Sequence, residues 1–325
     1  MNNKIKIIDL FAGIGGIRLG FENVSKNINC VFTSEWDKFS KETYQVNFNN
    51  EKVYGDITKI DEKDIPEHDI LMAGFPCQPF SQAGLKKGFY DTRGTLFFDI
   101  ERILNHRKPQ SFLLENVKQL RGHDKGRTLK IIIKHLKQIG YKNVQYKILR
   151  ARDFGLPQNR ERIYIVGFLD DKIQFEFPEP TYIKTRVGDI LESRVDKKYT
   201  ISDKLWAGHQ RRKKENKIKG KGFGYGIVNE DSEYTNTISA RYYKDGSEVL
   251  IYQKGKNPRK LTPRECARLQ GFPENFKIPV SNTQAYRQFG NSVPVFVISK
   301  IAEQMLKHIK TSEQQSKTLV LDINN

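Results

Sequence analysis

Apolar runs recur through the first half of the chain: IKIIDLF, CVFTSEW, DILMAGF, SFLLENV and RIYIVGFL, between residue 5 and about residue 170. Polar or amphipathic stretches separate them. In the stretch from Arg127 to Ile139, Leu129, Ile132, Ile133 and Leu136 recur at helical spacing, which predicts a helix with one buried face. Strands that alternate with helices predict an α/β fold, a largely parallel sheet covered by helices on both faces.

The pattern changes after Pro178 and Pro180. Residues 183 to 256 have weak periodicity and are rich in Lys, Arg, Gly and Tyr, with a basic run at Arg211-Arg212-Lys213-Lys214 and a loop-like stretch from Gly220 to Gly226. The expected division is therefore a main domain over 1–182, a smaller irregular lobe over 183–256, and a return to the main domain over 257–325. The return opens on Thr262-Pro263-Arg264-Glu265, with Thr at the cap, Pro at the first helical position and Glu three after the cap, and Gly271 is placed to close that helix. Val293 to Ile309 carries one apolar stripe and predicts the last helix. The tail beyond Lys310 is polar apart from Leu319 to Ile323.

At 325 residues the chain can bury one large core plus a smaller lobe. Its 56 Lys and Arg outweigh 38 Asp and Glu, a formal charge of +18, which points to a polyanionic partner without naming its type. Cys30, Cys77 and Cys266 lie far apart, with no CxxC pair and no structural-zinc spacing. Neither disulfide nor metal is expected, and a reducing cytoplasm suits such a chain. The first apolar run is too short for a signal-peptide core or a membrane span.

Several residues carry candidate chemistry. The first predicted strand runs into Phe11-Ala12-Gly13-Ile14-Gly15-Gly16, a turn whose glycines let backbone approach a ligand, or simply join strand to helix. Glu35 follows the second strand, where nucleotide-binding sheets keep a carboxylate for ribose hydroxyls. Turn and acid together favour an adenosine-type cofactor. Trp36 offers a face for stacking and Asp56 an acceptor for an exocyclic amine, and either residue can instead be structural. In GFPCQPFS, residues 74 to 81, Cys77 stands at a strand end between Pro76 and Pro79, placed as a nucleophile or held as a core thiol. Glu115 has the same address beyond the next apolar run, or it caps the following helix. An extended Gln158-Asn159-Arg160-Glu161-Arg162 sends Gln158, Arg160 and Arg162 to one face, suited to an anionic or carbonyl-bearing ligand or to surface ion pairs.

Taken in order, DLFAGIGG, GFPCQPFS, LLENV, QNRERIY, TPRECARLQGFP and QAYRQFGNSV make the chain resemble the bacterial DNA (cytosine-5)-methyltransferases of the compact type II restriction-modification kind. The resemblance covers roughly residues 5 to 170 and 258 to 309. It implies a Rossmann-like, S-adenosylmethionine-dependent methyltransferase sheet with a smaller, irregular, mainly β target-recognition domain.

By that resemblance Cys77 adds to carbon 6 of a cytosine flipped from double-stranded DNA, Glu115 shares or donates a proton at ring nitrogen 3, Arg162 binds the base carbonyl, and Arg160 lies near the nucleophile and the phosphate. Cofactor contacts are implied for Phe11, Gly13, Gly15, Glu35, Trp36, Asp56, Ile57, Pro76, Leu96, Asn291, Ser292 and Val293. The implied product is S-adenosylhomocysteine, and no metal is needed. DNA contacts are implied for Gln78, Ser81 and Arg93, in or beside a loop from Gln82 to Gly94 that also carries Lys86 and Lys87. In the lobe, Thr237, Ile238, Arg241 and Lys244 are implied to touch DNA, Tyr242 and Tyr243 are expected with the last two to reach base edges or phosphates, and the basic run at 211 to 214 steers and positions. The lobe is similar to those that read CC(A/T)GG or CCNGG. The resemblance further implies a cytoplasmic monomer whose cognate restriction endonuclease acts on the same site. A tRNA cytosine methyltransferase is a related alternative, a catalytically silent DNA-binding regulator has no support in the motifs, and a nicotinamide oxidoreductase leaves Pro76-Cys77-Gln78 unexplained.

Overall fold

The computed structural model describes residues 4–76, 96–222 and 224–310. Cys77, Gln78, Ser81, Gln82, Lys86, Lys87 and Arg93 lie outside these residues, as does Leu319 to Ile323.

A six-stranded sheet forms the centre. Its strands are β1 (Ile5–Leu10), β2 (Ile28–Ser34), β3 (Ile70–Gly74), β4 (Ser111–Val117), β5 (Asn143–Arg150) and β6 (Glu161–Phe168), in the order β2-β1-β3-β4-β6-β5. The first four are mutually parallel, while β6 is antiparallel to both β4 and β5. The sheet is thus largely parallel, as expected, with β6 alone reversed between β4 and β5. The reversal follows from the short connection that joins β5 to β6, with no crossover helix of the kind a parallel pair needs.

Alternation along the strands explains the layers. Ile5, Ile7, Ile70, Met72 and Leu113 pack on one face, against α1 (Gly16–Val24) and the last helix; Ile8, Leu10, Leu71, Ala73, Phe112 and Leu114 pack on the other, against α3 (Leu96–Arg107) and α4 (Arg127–Gln138). Both faces are covered, which is why these strands read as continuous apolar runs. Helix α2 (Lys38–Asn47) follows β2, and its residue Tyr44 packs with Phe48 and Val53 in a small satellite core.

The predicted late helix is α7 (Pro263–Leu269). Thr262 accepts from the Glu265 amide at 3.1 Å while its own amide donates to Glu265 at 2.8 Å, and Gly271 adopts φ +79° just past the end. Helices α8 (Asn282–Asn291) and α9 (Val295–Leu306) complete the return. The last helix begins two residues later than its apolar stripe, because Pro294 caps it.

The middle lobe departs from the mainly β expectation. Its strands β7 (Ile227–Val228), β8 (Leu250–Ile251) and β9 (Arg259–Lys260) are two residues each, and β9 lies beyond residue 256, so this small sheet continues into the returning segment. The largest element is α5 (Asp203–Ile218), and a single turn, α6 (Tyr242–Asp245), follows. Ser202 caps α5 by accepting from the Leu205 amide, yet only His209 of the helix is buried. A helix without an apolar stripe leaves no 3.6-residue signal to read. The basic run at 211 to 214 lies on it.

Candidate active site

A cleft of about 680 Å³ opens at the carboxyl ends of the parallel strands, the place where open α/β sheets bind ligands. Its first wall is the turn after β1. Phe11, Gly13 and Gly15 adopt φ of +53°, +54° and +81°, a left-handed series that bends the chain sharply into α1. A Cβ on Gly13 would meet nothing within 4 Å, so this backbone faces open space in the cleft. Gly15 is not among the residues that line the cleft; a Cβ there would lie 2.2 Å from the Phe48 ring, so the turn's packing needs a glycine.

Glu35 braces that turn. Its carboxylate accepts from the Gly13 and Asp37 amides, each at 2.8 Å. Burial raises its pKa, and these two backbone donors oppose the rise. Trp36, 80% exposed at the rim, presents its ring to solvent and cleft. Asp56 caps the short turn at Ile57–Lys59 through Thr58, and Asp56 and Ile57 both line the cleft, as do Pro76, Leu96, Asn291, Ser292 and Val293. The sheet and the late segment thus bring the expected cofactor residues together, Gly15 excepted.

The reactive end lies at β3 and β4. Glu115 pairs in register with Gly74, and a Cβ on Gly74 would stand in van der Waals contact with a Glu115 oxygen at 3.6 Å, so the acid lies against this end of β3. Arg162 on β6 brings Nε to 3.1 Å from Glu115 Oε1. Burial pushes the Glu115 carboxyl up, and the Arg162 and Arg160 cations pull it back. Cys77 follows Pro76, the last described residue of this wall, in sequence.

Arg160 does not face the cleft. Fully buried, it donates to the backbone carbonyls of Ile238 (2.9 Å), Gly290 (3.0 Å) and Ser292 (2.5 Å). Burial, with Arg162 nearby, pushes its pKa down to about 9. Gln158 is buried too, donating toward the Leu269 carbonyl and accepting from the Ile238 amide. The shared face expected for Gln158, Arg160 and Arg162 is therefore wrong: the first two precede β6, where the alternation does not yet hold, and only Arg162 reaches the cleft.

In the lobe, Ile238 is a core residue, with its side chain fully buried, and so cannot touch DNA through it. Tyr242 is buried as well; its hydroxyl donates to the Val249 carbonyl and accepts from the Leu261 amide. Thr237 donates to the Asn159 carbonyl, whereas Arg241 and Lys244 are exposed.

Several lining residues were not anticipated, Asn116, Gln284 and Arg287 among them. Asn116 donates to the Phe75 carbonyl at 2.8 Å and so holds the stem that leads to Pro76. Gln284 and Arg287, one turn apart on α8, face the same cleft. Their signal lay in the motifs LLENV and QAYRQFGNSV, where only the flanking residues had been singled out. Among the described residues, no group of three or more His, Cys, Asp or Glu could hold a metal, and no helix is long and apolar enough to cross a membrane.

A sheet with this order, a braced glycine turn and an acid–arginine pair at its carboxyl edge fit a transferase of the Rossmann-like methyltransferase class. The chain belongs to the C-5 cytosine-specific DNA methylase family, whose profile matches residues 5–307. It is 71% identical over 300 residues to the type II methyltransferase M.NlaX of Neisseria lactamica, covering 92% of this chain and 96% of that one. To M.SsoII of Shigella sonnei it is 65% identical, over 94% of this chain and 81% of the relative. Its activity is that of a bacterial DNA cytosine-5 methyltransferase of the type II kind, and the family implies use of S-adenosylmethionine. In fold it is similar to the Dnmt2 methyltransferase of S. pombe, with a TM-score of 0.78 at 24% identity over 94% of this chain and 99% of that one. A likeness of TM-score 0.74 at 23% identity extends to the Entamoeba histolytica methyltransferase EhMeth, over 94% of this chain and 98% of that one.

Proposed function

We propose that this chain methylates carbon 5 of a cytosine flipped out of duplex DNA, through a transient bond between Cys77 and the base, and that it protects host DNA from a cognate endonuclease in the bacterial cytoplasm. The observation that carries this reading is the buried Glu115 beside Arg162 in the same cleft that the Gly13–Glu35 turn lines.

S-adenosylmethionine, when bound, supplies an electrophilic methyl group. The chain's own residues fit it: Glu35 for ribose hydroxyls, the open backbone at Gly13 for close approach, Trp36 and Asp56 for the adenine, and Asn291 to Val293 for the opposite wall. The Cys77 thiolate adds to carbon 6, forming a sulfur–carbon bond and moving electron density onto the ring. Glu115 offsets that charge by sharing its proton with nitrogen 3, which its burial favours. Arg162 is placed to hold the base carbonyl while its charge steadies the carboxyl. Once carbon 5 carries the methyl group, loss of its proton to a base lets the carbon–sulfur bond break and returns the thiolate.

The lobe over 183–256 is the DNA-reading part, through Arg241, Lys244 and Thr237, and Gln78, Ser81 and Arg93 belong to the DNA contacts as well. The target is of the CCWGG or CCNGG kind, and the enzyme acts as a monomer. Bisulfite sequencing of DNA from cells expressing the chain reads reaction and target together: protected cytosines in one short motif are expected, and fully converted DNA would refute the reading. A duplex carrying 5-fluorocytosine separately tests Cys77. An adduct that survives denaturation is expected from the native chain and none from Cys77→Ala; recovery of only noncovalent complex from the native chain would remove the covalent step.

A further inference from the structure

We infer that Arg160 is the coupling residue between the DNA-reading lobe and the cofactor wall, so that each ligand tightens binding of the other through this one side chain. The inference rests on the functional reading above, and two independent observations carry it.

The first is the division of its donors. Nη1 of Arg160 donates to Ile238, inside the lobe, and Nη2 donates to Gly290 and Ser292, which line the cleft. A guanidinium is a rigid planar fork with no acceptor of its own. If the two segments part, one side of the fork loses its carbonyls in a fully buried place, where an unmatched charged donor is costly. Nε already lacks a partner, so no spare contact absorbs the change. No carboxylate forms an ion pair with Arg160 among the described residues either. Its hydrogen bonds go to backbone carbonyls alone, and Glu115 acts on it only through the electrostatic field.

The second is Gly290. A Cβ there would lie 2.2 Å from the Ser239 carbonyl oxygen and 2.5 Å from the Ala240 nitrogen. The two segments that Arg160 clamps therefore touch backbone to backbone. Gln158 adds a brace from the same side by accepting from the Ile238 amide, and Thr237 ties to the Asn159 carbonyl.

The consequence follows from linkage. A cofactor that orders residues 290 to 293 fixes two carbonyls, Arg160 then fixes the third, and the segment from 237 to 242, which ends beside the exposed Arg241 and Lys244, is ordered before DNA arrives. DNA held by the lobe acts back on cofactor affinity by the same factor.

The experiment measures the dissociation constant of a duplex carrying one methylatable site, identified by bisulfite sequencing, with and without saturating S-adenosylhomocysteine. Native protein should bind the duplex on the order of tenfold more tightly with the nucleoside present. Arg160→Lys keeps a charge but cannot fork, and should bring that factor close to one. Hydrogen exchange on the native chain needs no variant: S-adenosylhomocysteine alone should slow exchange of the amides from Ile238 to Tyr242. Native protein that binds both ligands without mutual effect, a full coupling factor in Arg160→Lys, or unchanged exchange in the lobe would each overturn the inference and leave the functional reading standing. Native protein that binds neither ligand would overturn both.

Discussion

Arg162 reaches across the antiparallel pair β4 and β6 to place Nε 3.1 Å from Glu115 Oε1, and both side chains line the cleft. Burial raises the acid's pKa while the cation restrains it, which leaves the carboxyl able to hold a proton under conditions where an ordinary glutamate would not. Glu115→Gln keeps the shape and removes the acidic proton that the carboxyl can donate. Turnover should fall by about 10²- to 10⁴-fold, measured as methyl incorporation into duplex DNA.

The same substitution should stabilise the fold at alkaline pH. Because the folded-state pKa is raised, folding takes up a proton; the contribution is favourable below the ordinary carboxylate range and is lost as pH rises through the folded value. Above that folded value the ionised Glu115 is a buried cost that glutamine lacks. Thermal unfolding should show Glu115→Gln melting above the native chain at pH 8, with the gap narrowing toward pH 5.

His68 shows the opposite dependence. Burial pushes its pKa down to about 4, although its ring lies 2.8 Å from the Pro66 carbonyl through Nδ1. The unfolded chain protonates this imidazole near 6.5 and the native chain only near 4, so stability is lost as pH falls between those values. The loss attributable to His68 is at most about 3 kcal/mol. Denaturant titrations from pH 7 to pH 4 should show a shallower decline for His68→Gln; identical slopes would exclude this group as a source of acid sensitivity.

Glu35 joins the turn to the ligand site, because its carboxylate accepts from Gly13 and Asp37 at once. Glu35→Gln turns one acceptor oxygen into a donor facing a backbone N–H. Affinity for S-adenosylhomocysteine should drop tenfold or more, corresponding to roughly 1.5–3 kcal/mol for a charged hydrogen bond. Calorimetric titration checks it.

Helices α1 and α9 close the face of the sheet behind the cleft, and they meet at Gly20, where a Cβ would stand 2.4 Å from Ile298 Cγ2. The clash involves a branched side chain and, at 3.2 Å, the Ser299 backbone nitrogen, so relaxation is limited. Gly20→Ala should destabilise by about 1–3 kcal/mol, seen as a lower denaturation midpoint, while the motif methylated in bisulfite reads stays the same.

Much of this molecule was decided by local chemistry alone. The runs that became β1, β3 and β4 are apolar along their length because helices cover both faces, so hydrophobicity by itself marked them as central strands. Thr262, Pro263, Glu265 and Gly271 set the limits of α7 through backbone hydrogen bonds and one left-handed residue, none of which needs a distant partner. Glu35 and Glu115 were legible for a related reason: in a sheet of this kind, a polar residue at the carboxyl end of an apolar run has one address.

Tertiary packing alone settled the rest. Periodicity says which residues of an element share a face, but it does not say what another part of the chain lays over that face. Ile238 and Tyr242 sit in a lobe rich in exposed cations, yet α7, α8 and the residues around Val249 enclose them. Arg160 and Arg162 stand two apart, and only the second lies on a strand, so one charge entered the cleft and the other was closed in by carbonyls from positions 238, 290 and 292. Helix α5 left no trace in the pattern, because it is docked through polar and aromatic contacts of His209, Arg212 and Trp206 with Asp245 and Tyr225, and such contacts write no apolar period into the chain.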